Sequence, residues 1–390
     1  MLKSFKYRIS PTKAQAELIN KHIGSSRFVY NLALETKTMA YAGNQINLSC
    51  FDLIKQLPDL KKECTWLKEI NSQSLQAPIR NLDNAFTRFY KGQGNFPKYK
   101  SKRSGKQSFH IPQNVIVENG KLIIPKFKEG IDIVLHRETK GVIKSATISR
   151  TPTGKYFVSI LCDTKEEIPT KASITESTTI GIDLGIKDFA ITSKGEVFEN
   201  PKYLRKAQSK LKYVQRKYSK HKGKRTKKKL AKLHEDVVNK RKDFLHKVST
   251  KLIRENQTIA LETLAVKNIV KNHNLAQSIS DASWSTFVSM LEYKAEWYGK
   301  NILRIGRFAP SSKTCSCGVI NKDLKLSDRE WTCKSCGTTH DRDILAACNI
   351  KSFALKNILS GTDRKNQDEL PTLVGVLTPE AQPIASGVGG

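Results

Sequence analysis

The sequence predicts a multidomain α/β protein, and three observations carry that prediction. The chain has 390 residues, 38% of them hydrophobic, enough for more than one packed core at about 100–200 residues per domain. Its apolar period switches from helical spacing to strict alternation and back. Its charge is extreme, with 68 Lys and Arg against 36 Asp and Glu, a formal net of +32. Such a charge repels itself unless a polyanion neutralises it, so nucleic acid is the expected partner and small-molecule metabolism is not. No apolar run nears the roughly 18–20 residues that span a bilayer. The start, MLKSFK, lacks the apolar core of a secretory signal. No membrane role is expected, and a cytoplasmic, nucleoid-associated location is.

Residues 2–9 alternate apolar and polar and read as a strand. Pro11-Thr12 punctuates the chain before a helical pattern through Leu18, Ile19, Ile23, Phe28 and Leu32. Residues 50–90 are mainly helical, 92–106 form a Gly- and Lys-rich loop, and 107–163 return to period two with Asn-Gly, Lys-Gly and Thr-Gly turns. That block is a small antiparallel sheet or barrel. A polar linker follows at 164–176, and a new domain opens near Thr178 with strand, turn, strand, turn, strand.

Residues 202–250 carry a net charge of +16, half the total. Apolar positions at Leu204, Leu211, Val214, Leu230, Leu233, Val237, Phe244 and Val248 imply two amphipathic helices around a loop near His221–Thr226. A solvated helix face would explain charge, but this density exceeds what solubility needs and suits phosphate contact, with Lys227, Lys228 and Lys229 its densest run. A buried strand at Thr258–Leu264 precedes a helix at 281–298, with Asp281 its expected N-cap and Trp284 and Trp297 expected in the core. Residues 301–307 read as a strand, 342–359 as a helix, and 360–390 as a disordered tail.

Three acids sit on or beside core elements: Asp183 in GIDLGIKDFA, Glu262 in IALETL and Asp343 in HDRDILAACNI. A carboxylate in an apolar run is costly to bury unless it is paired or bound to metal. Mg2+ prefers oxygen ligands, and two such ions can clamp both reacting oxygens of a phosphodiester. Each acid alone has a plain alternative, a turn cap for Asp183 or a lysine partner for Glu262. Cys315, Cys317, Cys333 and Cys336 have the spacing of a zinc ribbon. Their first pair is C-x-C, one residue short of the usual C-x-x-C, and His340 could replace one thiolate. Cys50, Cys64, Cys162 and Cys348 read as ordinary cysteines.

In the N-terminal half, Arg27, Tyr30, Asn31, Lys98, Tyr99 and Lys100 interleave charge with aromatics, a mixture suited to RNA. Tyr30 and Tyr99 are equally readable as core. Ser72, Gln73 and Gln76 open a helix whose core face is Leu75, Ile79 and Leu82, leaving polar groups either solvated or free to read bases in a DNA groove.

The order strand–acid–strand–strand, strand–acid, acid–helix resembles the RuvC-like nucleases of the RNase H fold. Over residues 2–355 the chain resembles the TnpB (OrfB) family of transposon-encoded proteins, relatives of the type V CRISPR effectors. The carrying segments are KYRISPTKAQ and GSSRFVYN near the start, FPKYKSKRSGKQSF at 96–109, GIDLGIKDFAITS at 181–193 and VNKRKDFLHK at 238–247. Downstream lie ALETL at 260–264, SISDASWSTFVSMLEYKAEWYG at 278–299, SSKTCSCG from 311 and DREWTCKSCGTTHDRD ending at 343.

The resemblance implies a wedge β-barrel over 1–14 and 92–165 with an inserted helical recognition domain at 15–91. It also implies a RuvC-like domain at 175–359 with a zinc ribbon insert at 311–340. It implies an endonuclease guided by an RNA from the transposon end, cutting double-stranded DNA beside a short motif and working alongside the transposase of the same element. Asp183, Glu262 and Asp343 match the three acids that hold two Mg2+, with Asp341 competing for the third place. The four cysteines match one structural zinc, and Gln76 matches a motif-reading position. The family usually has Asn two residues after the third acid, where this chain has Leu345. A nuclease-inactive RNA-guided repressor would lack one of the acids. A strand-joining transposase would need a His-hydrophobic-His metal motif, which the dispersed histidines do not form.

Overall fold

The computed structural model describes residues 1–103, 107–264, 278, 281–325 and 327–359. The chain divides into two compact units, Met1–Glu167 and Ile168–Gly390.

The first unit combines a seven-stranded antiparallel sheet with a helical layer. Its strands are β1 (Leu2–Ser10), β2 (Gln107–Ile111), β3 (Ile116–Glu118), β4 (Lys121–Ile124), β5 (Phe127–Val134), β6 (Val142–Arg150) and β7 (Tyr156–Asp163). The order is β2-β6-β7-β1-β5-β4-β3, so the N-terminal strand lies in the middle of a sheet built mostly from residues 107–163. Alternation drives this: Phe5, Tyr7 and Ile9 of β1 join Ile131, Ile133, Val158 and Ile160 in one buried cluster.

Helix α1 (Lys13–Asn44) starts at Thr12, whose side chain caps the Gln15 amide while Gln15 returns a bond to the Thr12 amide. Its first half lays Ile19 and Ile23 on the sheet. Its second half packs Val29, Tyr30, Ala33 and Leu34 against α2 (Cys50–Lys55), α3 (Leu57–Glu63) and α4 (Ser72–Tyr90), a separate core containing Leu53, Leu57, Leu75, Ile79 and Leu82.

The second unit has a five-stranded sheet of β8 (Thr179–Leu184), β9 (Asp188–Thr192), β10 (Val197–Glu199), β11 (Thr258–Glu262) and β12 (Asn301–Ile305), in the order β10-β9-β8-β11-β12. β8, β11 and β12 run parallel, whereas β9 and β10 are antiparallel hairpin partners. The basic segment forms α5 (Tyr203–His221) and α6 (Lys224–Glu255), broken only at Lys222-Gly223, with Lys222 left-handed. α7 (Trp284–Trp297) packs beside α6 on one sheet face, where Ile180, Ile182, Ile259 and Leu261 meet Leu245, Leu252, Phe287 and Leu291. α8 (Arg342–Leu359) covers the other face, where Ala260, Leu303 and Ile305 meet Ile350 and Ala354. A short hairpin of β13 (Glu330–Thr332) and β14 (Thr339–Asp341) leads into α8.

One capping expectation is corrected. Asp281 does not cap the helix that follows it, because α7 begins three residues later after a left-handed Ser283. Its buried carboxylate instead accepts the amides of Leu204 (3.0 Å) and Arg205 (3.2 Å) and pairs with Arg241 of α6 at 3.2 Å. It caps α5, where Lys202 offers no side-chain cap. Trp284 is buried as expected. The expected tail at 360–390 lies outside the described residues.

Candidate functional site

Strand periodicity decides which acids meet. Side chains of β8 alternate, so Ile180 and Ile182 enter the α6–α7 core while Gly181 and Asp183 point to the α8 face. A Cβ on Gly181 would stand 2.0 Å from the Ala347 carbonyl oxygen, so glycine is what lets α8 lie this close. Two residues up the strand is about 7 Å, and four residues back along the helix is about 6 Å. Those similar steps place Asp343 near Asp183, whose carboxyl it helps to raise. Glu262 arrives from the neighbouring strand. Leu261 and Ile182 are register partners on parallel strands, so the next residues, Glu262 and Asp183, project on one face at the carboxyl edge of the sheet.

The electrostatics agree with that convergence. Burial pushes the Asp183 carboxyl up to about 7, Glu262 and Asp343 add to the rise, and Arg342 opposes it. Burial also raises Glu262, against a hydrogen bond from Ser311. Ser311 Oγ donates to Glu262 Oε1 at 2.9 Å, and Arg329 Nη1 donates to Asp343 Oδ2 at 2.6 Å. Asp341 is used differently: its Oδ1 accepts the amides of Asp343 (3.0 Å) and Ile344 (2.9 Å) and caps α8. Of these two acids, Asp343 is the one that, with Glu262, raises the Asp183 carboxyl.

The four cysteines form a second cluster. Among the described residues they are the only group of three or more His, Cys, Asp or Glu whose ligand atoms all lie within 4.8 Å of one another, and they could hold a metal ion. The short C-x-C pair is explained by two turns that close alike. In the second, Cys333 N donates to the Thr338 carbonyl and Gly337 N to that of Cys333, both at 2.9 Å. In the first, Cys315 N donates to the Val319 carbonyl at 2.8 Å and Gly318 N to that of Cys315 at 2.9 Å. Gly318 and Gly337 are both left-handed, at φ 91° and 71°. The first turn is the second with one residue removed. Backbone amides of Cys336 and Ser335 pull the Cys333 thiol below its ordinary value, towards the thiolate that binds metal. His340 Nε2 lies 3.0 Å from Cys315 Sγ, beside the four sulfurs rather than in place of one.

Leu345, the departure noted in the sequence, is buried with Cys315, Leu324, Trp331 and Cys333. It anchors the cysteine cluster to α8. The sequence reading missed Ser311, Arg329 and Asn349, which touch acids or hold the chain that does. Ser311 and Arg329 stand inside the quoted cysteine motifs, and their positions there were the one available signal.

The N-terminal candidates divide. Tyr30 is buried, Lys100 Nζ sits 3.8 Å over its ring, and the Asn31 side chain exchanges two hydrogen bonds with the Lys100 backbone (2.7 and 2.9 Å). These three clamp the 97–102 segment to α1, and the Tyr30 ring is not available for base stacking. Arg27 donates to Gln107 Oε1 at 3.0 Å. Lys98 and Tyr99 are exposed, as are Lys227, Lys228 and Lys229 at the start of α6. Ser72 Oγ accepts from Lys61 Nζ at 2.6 Å, and Gln73 and Gln76 are half-buried at the start of α4.

A protein of Streptomyces pristinaespiralis, provisionally named an RNA-guided DNA endonuclease, is 40% identical over 378 residues, covering 94% of this chain and 93% of its own length. The chain belongs to the TnpB (OrfB) family. A TnpB-like protein of Acanthamoeba polyphaga mimivirus is 24% identical over 404 residues, covering 91% of this chain and 74% of its own. Family profiles match in three places: a "Probable transposase" family at 159–273, a Cas12f1-like TNB domain at 284–350, and a helix-turn-helix domain at 1–45. In this TnpB-family chain residues 1–45 form a strand and one unbroken helix, without a turn inside Lys13–Asn44. The solved structure of a Cas12f1–sgRNA–target DNA complex aligns with a TM-score of 0.55 at 14% identity, over 87% of this chain and 83% of that one. The TnpB-family chain thus shares the Cas12f1-like multidomain α/β fold. Among its described residues no helix is long and apolar enough to cross a membrane.

Proposed function

We propose that this chain is an RNA-guided DNA endonuclease that cuts double-stranded DNA beside a short transposon-adjacent motif. The observation that carries the reading is the convergence of Asp183, Glu262 and Asp343 from two parallel strands and a helix start, with the Asp183 carboxyl pushed up to about 7. The strand order β10-β9-β8-β11-β12, with β9 antiparallel, supports a RuvC-like RNase H assignment for the second unit.

The donor set fits Mg2+ in kind: three carboxylates at one sheet edge, two of them raised by burial, are hard oxygen donors whose ionisation a bound cation would favour. When bound, two such ions supply Lewis acidity and neutralise charge at the reacting phosphate. The protein's own work is positional. Asp183 and Glu262 are fixed by strand register, Asp343 by the first turn of α8, and Arg329 brings a fixed positive charge to the same edge. The four cysteines fit one structural zinc.

Binding divides by chemistry. The exposed lysines of α6 suit the backbone of an RNA–DNA heteroduplex, which carries no sequence information, while base pairing with the guide reads the target. Gln73 and Gln76 at the start of α4 suit base contacts in the adjacent motif, with Ser72 tied to Lys61. Phe308, 87% exposed on the loop between β12 and Ser311, offers a stacking face for an unpaired base, with the Arg307 guanidinium over its ring. The repressor reading would require a missing acid, and all three are present.

The test is the nucleic acid that the protein carries. RNA co-purifying with the full chain should be dominated by one transcript ending at the transposon boundary. The loaded protein should then cut a duplex complementary to that transcript's end. A random sample of cellular RNA, with no cutting of a matched duplex, would overturn the proposal.

A further inference from the structure

Asn349 and Ser311 form a buried relay between α8 and Glu262. The Asn349 side-chain amide donates to two backbone carbonyls, Ser311 at 2.7 Å and Thr314 at 2.6 Å. Both residues are buried, so those bonds are shielded from water. The clamped segment then directs the Ser311 hydroxyl onto Glu262 Oε1 at 2.9 Å. Thr314 Oγ1 closes the turn by donating to the Pro310 carbonyl at 2.8 Å. Asn349 lies six residues after Asp343 on α8. One helix therefore places one acid directly and orients a second through the 311–314 segment that leads into the cysteine cluster.

We infer that Ser311 and Asn349 are positioning residues for the metal-binding carboxylate of Glu262. The inference rests on the reading of Glu262 as an Mg2+ ligand. A carboxylate with one oxygen held by a hydroxyl has its plane fixed and leaves the other oxygen free to meet a cation. Neither residue touches the substrate or the reacting atoms in this scheme. Their effect is on how tightly and in what geometry the cation is held.

The experiment uses the full chain loaded with its guide RNA. The Mg2+ concentration for half-maximal cutting is measured for the parent, Ser311→Ala, Ser311→Thr, Asn349→Ala and the Ser311→Ala/Asn349→Ala double variant. Mn2+ binding is followed in parallel by electron paramagnetic resonance, with Glu262→Gln defining the signal that belongs to this site. Loss of a hydrogen-bond partner behind a metal ligand costs about 10–100-fold in affinity or activity. Ser311→Ala should raise the Mg2+ midpoint and weaken Mn2+ binding by at least about tenfold, with zinc content and melting temperature near the parent's. Ser311→Thr should restore both.

Because Asn349 acts through Ser311, the double variant should be no worse than the worse single variant. Unchanged midpoints in Ser311→Ala would overturn the inference, as would a loss of rate at every Mg2+ concentration with an unchanged midpoint. Additive effects in the double variant would also overturn it. Should Ser311→Ala not fold, the Asn349→Ala and Ser311→Thr midpoints decide the question. Parent-like cutting by Glu262→Gln would instead remove the underlying assignment of Glu262.

Discussion

Asp183 holds a carboxyl whose protonated form the folded chain prefers. Its pKa rises from an ordinary 3.8 to about 7, so the folded state binds the proton more tightly than the unfolded state between those values. The stability linked to that proton is fully present below about pH 4 and is lost as pH rises towards 7. Asp183→Asn removes this titration. In Mg2+-free buffer its melting temperature should gain on the parent's from pH 4 to pH 7 and then hold level, and saturating Mg2+ should narrow the gap. Parallel melting curves for the two proteins across that range would contradict the account. Asp183 and Glu262 stood out in the sequence because a carboxylate in an apolar strand needs a reason, and Asp343 because it opens a helix in a segment that resembles the family's. Ser311 and Arg329 did not, because a serine or arginine near a cysteine motif has many ordinary uses, and only the 2.9 and 2.6 Å contacts assign theirs.

Elements whose period matched one buried face were read correctly in type: β1, the strands of 107–163, the two basic helices and α8 all lie where their patterns put them. What failed was pairing between distant segments. Asp281 looked like a local cap, yet its partners are at positions 204, 205 and 241, reached only through the fold. Tyr30, Asn31 and Lys100, expected to face RNA, also clamp α1 to a loop about 70 residues away, a contact that their local pattern does not announce. The central place of β1, between β7 and β5, is likewise a pairing that periodicity does not specify. The cysteine element carries its own prediction. Metal analysis of protein purified without chelator should find about one zinc per chain, and Cys333→Ser should release it and lower the melting temperature of the second unit. Leu345 couples that element to α8, so zinc loss should also reduce cutting. A metal-free parent with full activity would contradict this.

At the scale of the whole molecule, the net charge of +32 and its concentration in α5 and α6 point to a long anionic partner rather than a small one. Replacing Lys227, Lys228 and Lys229 with Gln should weaken binding to all matched targets alike and flatten the salt dependence of affinity, by up to about two to three units of slope if each lysine meets one phosphate. An altered sequence preference at unchanged slope would show that these lysines read bases. The central claim is that Asp183, Glu262 and Asp343 form one cutting centre. It is tested most directly by comparing guide-loaded parent and Asp183→Ala side by side on a matched target duplex in Mg2+, measuring cleavage rate and DNA affinity in the same samples. The account predicts that Asp183→Ala retains RNA and DNA binding within a few-fold while cutting falls below detection. Cutting by Asp183→Ala at the parent's rate would contradict it.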